Sequence, residues 1–208
     1  MDYPITPQDY LARARDRLLS NDPANLFYAA LELRCCVESR QGDYLDALEY
    51  FRGHKIRPWQ VGQTSRKLLT VWDDPKIAKL TYKFPDKEFE TFFTPVMPAL
   101  VRAVEKELGA LLHAQTKFRK ASEGWWESTK NRLIEIYREA WVACRGEHMA
   151  PPLWNFQSGE THPMKLYTRA DTADLVVRML LLGKSRTKEF VLGVDYLDES
   201  PEDWKCDL

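Results

Sequence analysis

His113 and three residues before it form a line on one side of a predicted helix, and this line could carry chemistry. Arg102, Lys106 and Gly109 precede His113 at steps of four, three and four residues, which places them on one helix face. That face lies opposite the apolar stripe of the helix, which is centred near Val104. Histidine can transfer protons, and cations beside a glycine can closely approach a partner helix or a phosphate. The alternative interpretation is an ordinary solvated polar face.

Arg34 and Glu38 are the second candidates, one helical turn apart. Arg34 falls within the apolar arc of its predicted helix, and Glu38 lies at the margin of that arc. A charge on a buried stripe needs a partner, because removing it from water alone is costly. Two interpretations stay open: an internal ion pair, within the helix or with a neighbour, or a polar site in a cleft between helices.

A basic segment beside Trp59 is the third candidate. It contains four residues that can carry positive charge, namely Arg52, His54, Lys55 and Arg57. Such a segment can contact a nucleic-acid backbone, although a solvated loop is the default interpretation. We keep it as a candidate nucleic-acid contact.

Cysteine and histidine spacing gives little support for a metal site. The four cysteines are Cys35, Cys36, Cys144 and Cys206, and none forms a CxxC pair. Cys144, His148 and His162 outline three ligands, but Cys206 would have to supply the fourth. The nucleotide-binding patterns GxxxxGK[ST] and GxGxxG and the hydrolase pattern GxSxG do not occur. We therefore predict no metal, no cofactor and reduced thiols.

The composition is that of a folded domain. Hydrophobic residues make up 44% and charged residues 29%, and seven Trp, nine Tyr and nine Phe can bury large areas. The net charge of −1 argues against a whole-surface grip on nucleic acid, although a local basic patch remains possible. The first ten residues lack the features of a secretory leader, and the longest aliphatic run, 175–182, is too short to cross a bilayer. We expect a cytoplasmic protein with no membrane part.

Helix signals divide residues 1–150 into about five predicted helices. The first starts at a capping-box-like pattern from Thr6 to Asp9 and ends near Leu19. The second follows Asp22-Pro23 and extends to about Phe51. Its apolar stripe has steps of four, three, four, seven, four and three: Leu26, Ala30, Leu33, Val37, Tyr44, Leu48 and Phe51. The other three helices are predicted at 59–72, from 94 to about 118, and from 122 to about 141.

Prolines separate the remaining segments. Residues 73–90 are predicted to be irregular, because Pro75 and Pro85 interrupt them. Pro151-Pro152 marks a predicted boundary, followed by three short strands at 164–167, 175–181 and 189–196. A helix that begins at Asp171-Thr172 and ends at Gly183 is the alternative to the middle strand. The residues after 197 are predicted to be a loosely held acidic tail.

The predicted fold class is therefore mainly α. Residues 1–150 form a helical bundle of about five helices, and residues 151–208 form a small β-containing extension.

Two segments resemble HEPN-like helical proteins of bacteria. Residues 30–34, Ala-Leu-Glu-Leu-Arg, followed by Val37-Glu38, are similar to the LR…E helix of this family. Residues 107–114, Glu-Leu-Gly-Ala-Leu-Leu-His-Ala, are similar to its later helix with glycine and histidine. The resemblance covers roughly residues 5–148. It implies a helical bundle that often dimerises, in a family that includes RNases and toxins of phage defence and also inactive partners.

The nuclease motif of that family is an arginine separated by four to six residues from a histidine. Here Lys106 occupies the arginine position relative to His113, which gives Lys-x6-His. Lysine lacks the planar fork with which arginine holds a phosphate at two points. The departure argues against RNase activity and leaves the bundle and its histidine-bearing surface as expectations.

Three functions follow, in this order. The first is a non-catalytic interaction module, an accessory or regulatory subunit in antiphage defence or a toxin–antitoxin pair, which binds a protein partner or forms a homodimer. The second is a metal-independent RNase, in which His113 transfers protons and Lys106 or Arg102 stabilises the charge, while Arg34 and Glu38 shape the cleft. The third is an adaptor that binds RNA or DNA through the basic segment and the C-terminal strands.

Overall fold

The computed structural model describes the chain in eight stretches: residues 3–52, 60–69, 75–84, 87–120, 122–148, 154–155, 160–161 and 191–208. Within them the fold is mainly α with a small β part, as the sequence predicted, and the larger sheet is antiparallel with three strands. No helix in these stretches is both long enough and apolar enough to cross a membrane.

The first two helices form a packed pair. Helix α1 spans Pro7–Leu19 and helix α2 spans Ala24–Arg52. The predicted capping box is confirmed: the Thr6 hydroxyl accepts the backbone N–H of Asp9, and the Asp9 carboxylate accepts the backbone N–H of Thr6. This exchange satisfies donors that the start of a helix leaves unpaired. Small and aliphatic side chains of the two helices bury each other, among them Leu11, Ala14, Leu18, Ala29, Ala30 and Leu33.

The remaining helices complete the bundle. Helix α3 spans Val61–Leu69. Helix α4, Pro98–Ala103, continues into a π-helical segment, Val104–Leu108, and then into helix α5, Gly109–Leu112. Helix α6 spans Trp125–Ala143. With the stretch from 98 to 112 counted as one helix, the described residues contain the five helices that the sequence predicted.

The helix predicted at residues 94–118 is shorter than expected at both ends. It begins at Pro98 and ends at Leu112. Beyond its end, the side-chain amide of Gln115 donates to the carbonyl oxygens of Ala110 (3.1 Å) and Leu111 (3.3 Å). These bonds satisfy carbonyl groups that the helix end leaves unpaired, so the chain can leave the helix there.

The prediction that residues 73–90 are irregular is wrong. They contain strand β1, Ile77–Phe84, and the start of strand β2, Lys87–Phe93, which pair as antiparallel neighbours. Pro75 and Pro85 flank β1 instead of interrupting it. Ala78, Leu80 and Tyr82 on one face of β1 are buried, and so are Ile77 and Thr81 on the other face, as expected for the central strand of the sheet.

The third strand of the sheet comes from the C-terminal part of the chain. The strand predicted at residues 189–196 is confirmed as β5, Val191–Leu197. It lies antiparallel to β1, with Leu80 opposite Val194, so the strand order is β2–β1–β5. The sheet therefore joins residues from both sides of Pro151-Pro152. A separate two-stranded pair consists of β3, Trp154–Asn155, and β4, Glu160–Thr161. The strands predicted at 164–167 and 175–181 lie outside the described residues.

The acidic tail is packed against the bundle, so the prediction of a loosely held end is wrong. The indole of Trp204 meets the ring of Phe92 at an angle, with 4.9 Å between ring centroids. The Asp207 carboxylate accepts a hydrogen bond of 2.9 Å from the hydroxyl of Tyr137. Aromatic contact and side-chain hydrogen bonds thus hold residues 198–208, although many of them are acidic.

Candidate functional site

His113 lies just past the last residue of α5, where the backbone is extended, and its side chain is exposed. Arg102 and Lys106 are also exposed, whereas Gly109 is buried. A π-helical turn holds more residues than an α-helical turn, so steps of four and three across residues 104–108 no longer select one side. The structure therefore leaves His113 open to solvent but interrupts the predicted basic line at Gly109.

Arg34 and Glu38 form an ion pair within α2, one of the two predicted alternatives. Their Nε and Oε1 atoms are 2.9 Å apart, and 37% and 38% of the two side chains are exposed. A half-exposed pair of this spacing stabilises a helix only slightly. This geometry does not require a cleft to account for the two charges.

Several predicted site residues lie outside the described part of the chain. His54, Lys55 and Arg57 belong to residues 53–59, and nothing is described there; Arg52 ends α2, but its side chain is not described. His162 is also outside the described residues. Within the described stretches, no group of three or more His, Cys, Asp or Glu side chains could hold a metal ion.

An open cleft of about 260 Å³ lies between the first half of α6 and the helix that runs through the π-helical segment into α5. Its apolar lining residues are Leu108, Leu111, Trp125, Leu133 and Ile136, and its polar ones are Glu107, Ser128, Thr129 and Arg132. A mostly apolar cavity with a few polar groups is the usual form of a binding site. Sequence patterns do not indicate this cleft, because it depends on how two successive helices pack against each other.

A two-point ion pair fixes the charged groups of the cleft. Arg132 donates from Nε and Nη2 to the two carboxylate oxygens of Glu107, at 2.6 and 2.9 Å, and from Nη1 to Glu135 at 2.7 Å. Hydrogen bonding to Arg132 lowers the pKa of Glu107. Glu107 is therefore held as a carboxylate, which suits a structural or recognition role better than that of a proton donor.

A basic and aromatic loop lies beside the cleft. Between α5 and α6, Phe118 has 89% of its surface exposed, and Lys117 and Lys120 on either side of it are exposed as well. The guanidinium of Arg119 lies 3.9 Å from the ring centroid of Trp125, which also lines the cleft. This cation–π contact joins the loop directly to the cleft.

Aromatic packing anchors the loop from the side of the bundle. Trp126 donates from its indole nitrogen to the carbonyl oxygen of Lys120 at 3.0 Å. Phe27 of α2 contacts both Trp125 and Trp126, with ring centroids 6.4 and 6.2 Å apart. The carboxylate of Glu123 accepts the backbone N–H of Lys120 at 2.9 Å. These contacts hold the loop in one position while Phe118 projects into solvent.

A second polar cluster, which sequence reasoning missed, surrounds Arg40 of α2. Arg40 is only 1% exposed. It donates from Nε to the carbonyl oxygen of Ala143 at 2.9 Å and from Nη2 to that of Gly146 at 2.8 Å. The Ala143 carbonyl ends α6 and the Gly146 carbonyl follows three residues later, and unpaired oxygens and the helix dipole favour a cation at a helix end. Arg40 thus caps α6 from a neighbouring helix.

Tyr44 and Thr94 extend this cluster to the sheet. The Tyr44 hydroxyl accepts a hydrogen bond from Arg40 at 3.0 Å and donates to the carbonyl oxygen of Thr94. The Thr94 hydroxyl donates to Ala143 at 2.9 Å and accepts the N–H of Gly146 at 2.8 Å. Burial raises the pKa of Tyr44 to about 12, so this hydroxyl stays protonated. The cluster is closed to solvent and joins three segments, which indicates a structural role.

The signal for Arg40 was present in the sequence. The predicted stripe of α2 has a seven-residue step between Val37 and Tyr44, where a helix would place another inward residue. Arg40 occupies that gap. A charged residue at an inward position predicts a buried, fully paired cation, and this is what the structure contains.

His148 is a further buried polar residue, with only 1% of its surface exposed. Its Nε2 is hydrogen-bonded to the hydroxyl of Thr91, and its ring stacks on Tyr82, with 6.4 Å between centroids. Its backbone N–H donates to the carbonyl oxygen of Phe92 at 3.1 Å. Burial lowers the pKa of His148 to about 4, so the ring is neutral near pH 7. His148 therefore belongs to the sheet interface and is not available as a surface ligand.

Cys36 and Cys144 form a buried thiol pair, with 3.6 Å between their sulfur atoms. The hydrogen bond with Cys144, together with burial, raises the pKa of Cys36 well above its usual value.

We expect the Cys36 and Cys144 thiols to react with a disulfide reagent more slowly than the partly exposed Cys35 and Cys206, on the order of tenfold. Counting the thiols that react before and after denaturation measures this difference. Cys36→Ala should remove one slow thiol, and uniform fast reaction of all four thiols in the native protein would contradict the prediction.

Comparison of the chain with protein-family models, curated proteins and solved structures finds no match. The class of protein is therefore defined by the fold alone, as a mainly α bundle with a small antiparallel sheet.

Proposed function

We propose that the protein is a non-catalytic helical interaction module, which acts as an accessory or regulatory subunit and binds a protein partner or a second copy of itself. The observation that carries this proposal is Phe118, which is 89% exposed on an anchored loop beside an apolar cleft. A large aromatic ring held in water is unfavourable, and such rings are enriched at protein interfaces. The setting in antiphage defence or a toxin–antitoxin pair rests on the resemblance to HEPN-like proteins alone.

The polar groups of the described residues favour a non-catalytic role. His113 is exposed, and no described side chain lies within hydrogen-bond distance of its imidazole to orient it. Glu107 is held by Arg132, while Arg40 and His148 are buried. Catalysis by proton transfer generally needs an acid or base that is held in one orientation and that the substrate can reach. His113 is accessible but not oriented, whereas Arg40 and His148 are oriented but not accessible.

Co-expression with the products of neighbouring genes tests this function. We expect a homodimer or a stoichiometric complex with a co-encoded protein, measured by sedimentation of the purified protein. Phe118→Asp should weaken that complex by about tenfold or more, because a charge would replace an interface ring. Leu19→Asp, at an exposed position that ends α1, is the matched control and should leave the complex intact. A strictly monomeric chain that binds no co-encoded protein would contradict the proposal.

The second candidate function is a metal-independent RNase, which the exposure of His113 favours. The test compares RNA cleavage by the wild-type protein and by His113→Ala. We expect no cleavage that depends on His113, because its imidazole has no orienting partner within the described structure and Lys106 replaces the arginine of the motif. Cleavage that is lost in His113→Ala would favour the RNase and contradict a non-catalytic role.

The third candidate, a nucleic-acid adaptor that uses Arg52, His54, Lys55 and Arg57, remains a prediction, since the side chains of these residues lie outside the described structure.

A further inference from the structure

We infer that the loop of residues 113–120 and the adjacent cleft bind an acidic peptide segment that carries one large apolar side chain. This inference rests on the proposed interaction function and specifies the chemistry of the partner. It combines three observations: the charge of the loop, the apolar lining of the cleft, and the contact that makes them one surface.

The charge of the loop favours an acidic partner. Residues 113–120 contain three cations, Lys117, Arg119 and Lys120, and no acidic residue, in a chain whose net charge is −1. Neither lysine forms an ion pair with any residue in the described stretches. The nearby Glu123 uses its carboxylate to accept a backbone N–H. The positive charges of the two lysines are therefore available to carboxylates of a partner. Charge complementarity of this kind selects partners and speeds their association.

The cleft accounts for the apolar side chain. Its volume of about 260 Å³ suits a leucine or a phenylalanine, which would contact the partly exposed side chains of Leu111 and Trp125 above buried residues such as Leu108 and Leu133. Arg119 stacks on Trp125, and Trp125 lines the cleft, so the cations and the apolar space are contiguous. A peptide can therefore place an apolar residue in the cleft while its acidic neighbours reach the lysines.

The same loop suits a single-stranded nucleic acid less well. Base stacking along a strand uses several open aromatic faces. Arg119 covers one face of Trp125, and Phe27 contacts both tryptophans of the cluster. The indole N–H of Trp126 is bonded to the loop backbone. Phe118 is thus the most exposed ring of this cluster, and a single exposed ring fits a peptide anchor better than a row of stacked bases.

The experiment measures fluorescence anisotropy of the full chain with a labelled synthetic peptide that has one leucine among aspartates and glutamates. We expect binding that weakens about tenfold when the peptide leucine becomes serine, and that loses its salt dependence when the acids become amides. Phe118→Ala, and separately the double change Lys117→Gln with Lys120→Gln, should each weaken binding by a similar factor. The matched controls Leu19→Ala and Lys205→Gln change exposed residues elsewhere and should bind as wild type does.

Two outcomes would overturn the inference. An oligouridylate strand that binds more tightly than the peptide, and does so through Phe118, would assign the loop to nucleic acid. If the peptide does not bind, and loop variants leave a homodimer or a co-encoded complex intact, the loop is not the docking site, whereas the interaction function itself stands.

Discussion

Replacing Arg40 with alanine is expected to lower the free energy of unfolding by about 2–4 kcal/mol. The change removes the donor to the buried carbonyl of Gly146 and one of two donors to the carbonyl of Ala143, and the Tyr44 hydroxyl loses the hydrogen bond that it accepts. An unpaired polar group inside a protein retains the full cost of its removal from water. Denaturation by urea, followed by tryptophan fluorescence, measures the loss.

The same helix supplies a matched control for this experiment. Arg34→Ala removes an arginine from a half-exposed ion pair with Glu38, so its cost should be only about 0.3–0.5 kcal/mol. If Arg40→Ala is too unstable to purify, Arg40→Lys keeps the charge but loses the fork, and its melting temperature should still fall well below that of Arg34→Ala. Equal stabilities of the Arg40 and Arg34 variants would contradict the capping role.

Acidification from about pH 7 to about pH 5 is expected to reduce the free energy of unfolding by about 2 kcal/mol through His148 alone. Burial lowers the pKa of this histidine from 6.5 to about 4 in the folded protein. Between these two values the unfolded chain binds a proton that the folded chain does not, so stability rises with pH in this window. The stability that His148 contributes is complete above its pKa of 6.5 in the unfolded chain. It is lost as the pH falls towards its pKa of about 4 in the folded protein. Urea denaturation at both pH values measures it.

The control for this titration is His148→Gln, whose side chain cannot gain a proton in this range. Its stability should depend less on pH than that of the wild-type protein, by the same amount of about 2 kcal/mol. An identical pH dependence in wild type and His148→Gln would show that the buried ring does not titrate as described.

The sequence predicted those parts of the fold that short-range patterns determine. Thr6 and Asp9 form a capping box within four residues, so their bonding follows from local geometry alone. The sequence does not predict strand β1, because Pro75 and Pro85 suggest interruptions, although apolar and polar residues alternate from Ala78 to Phe84. Periodicity identified the helices, while prolines were a poorer guide to what lies between them.

The candidate site was harder to predict, because tertiary packing creates it. Phe118 follows a helical apolar pattern, and only the cap formed by Gln115 shows that the helix ends before it. The cleft forms where α5 and α6 pack against each other, and residue spacing in the sequence does not predict the distance between the two helices. The buried pairing of Arg40 was accessible in principle, since it fills the gap between Val37 and Tyr44.

The pairing of β5 with β1 also bears on how the chain is made. The residues of these neighbouring strands lie far apart in sequence, as Ile77 and Leu197 do. While a ribosome is still adding the residues between them, β1 and β2 can form a hairpin, but one edge of β1 has no partner. Nascent chains are therefore most prone to mispair with one another before residue 191 emerges, and chaperone binding at that stage would protect them.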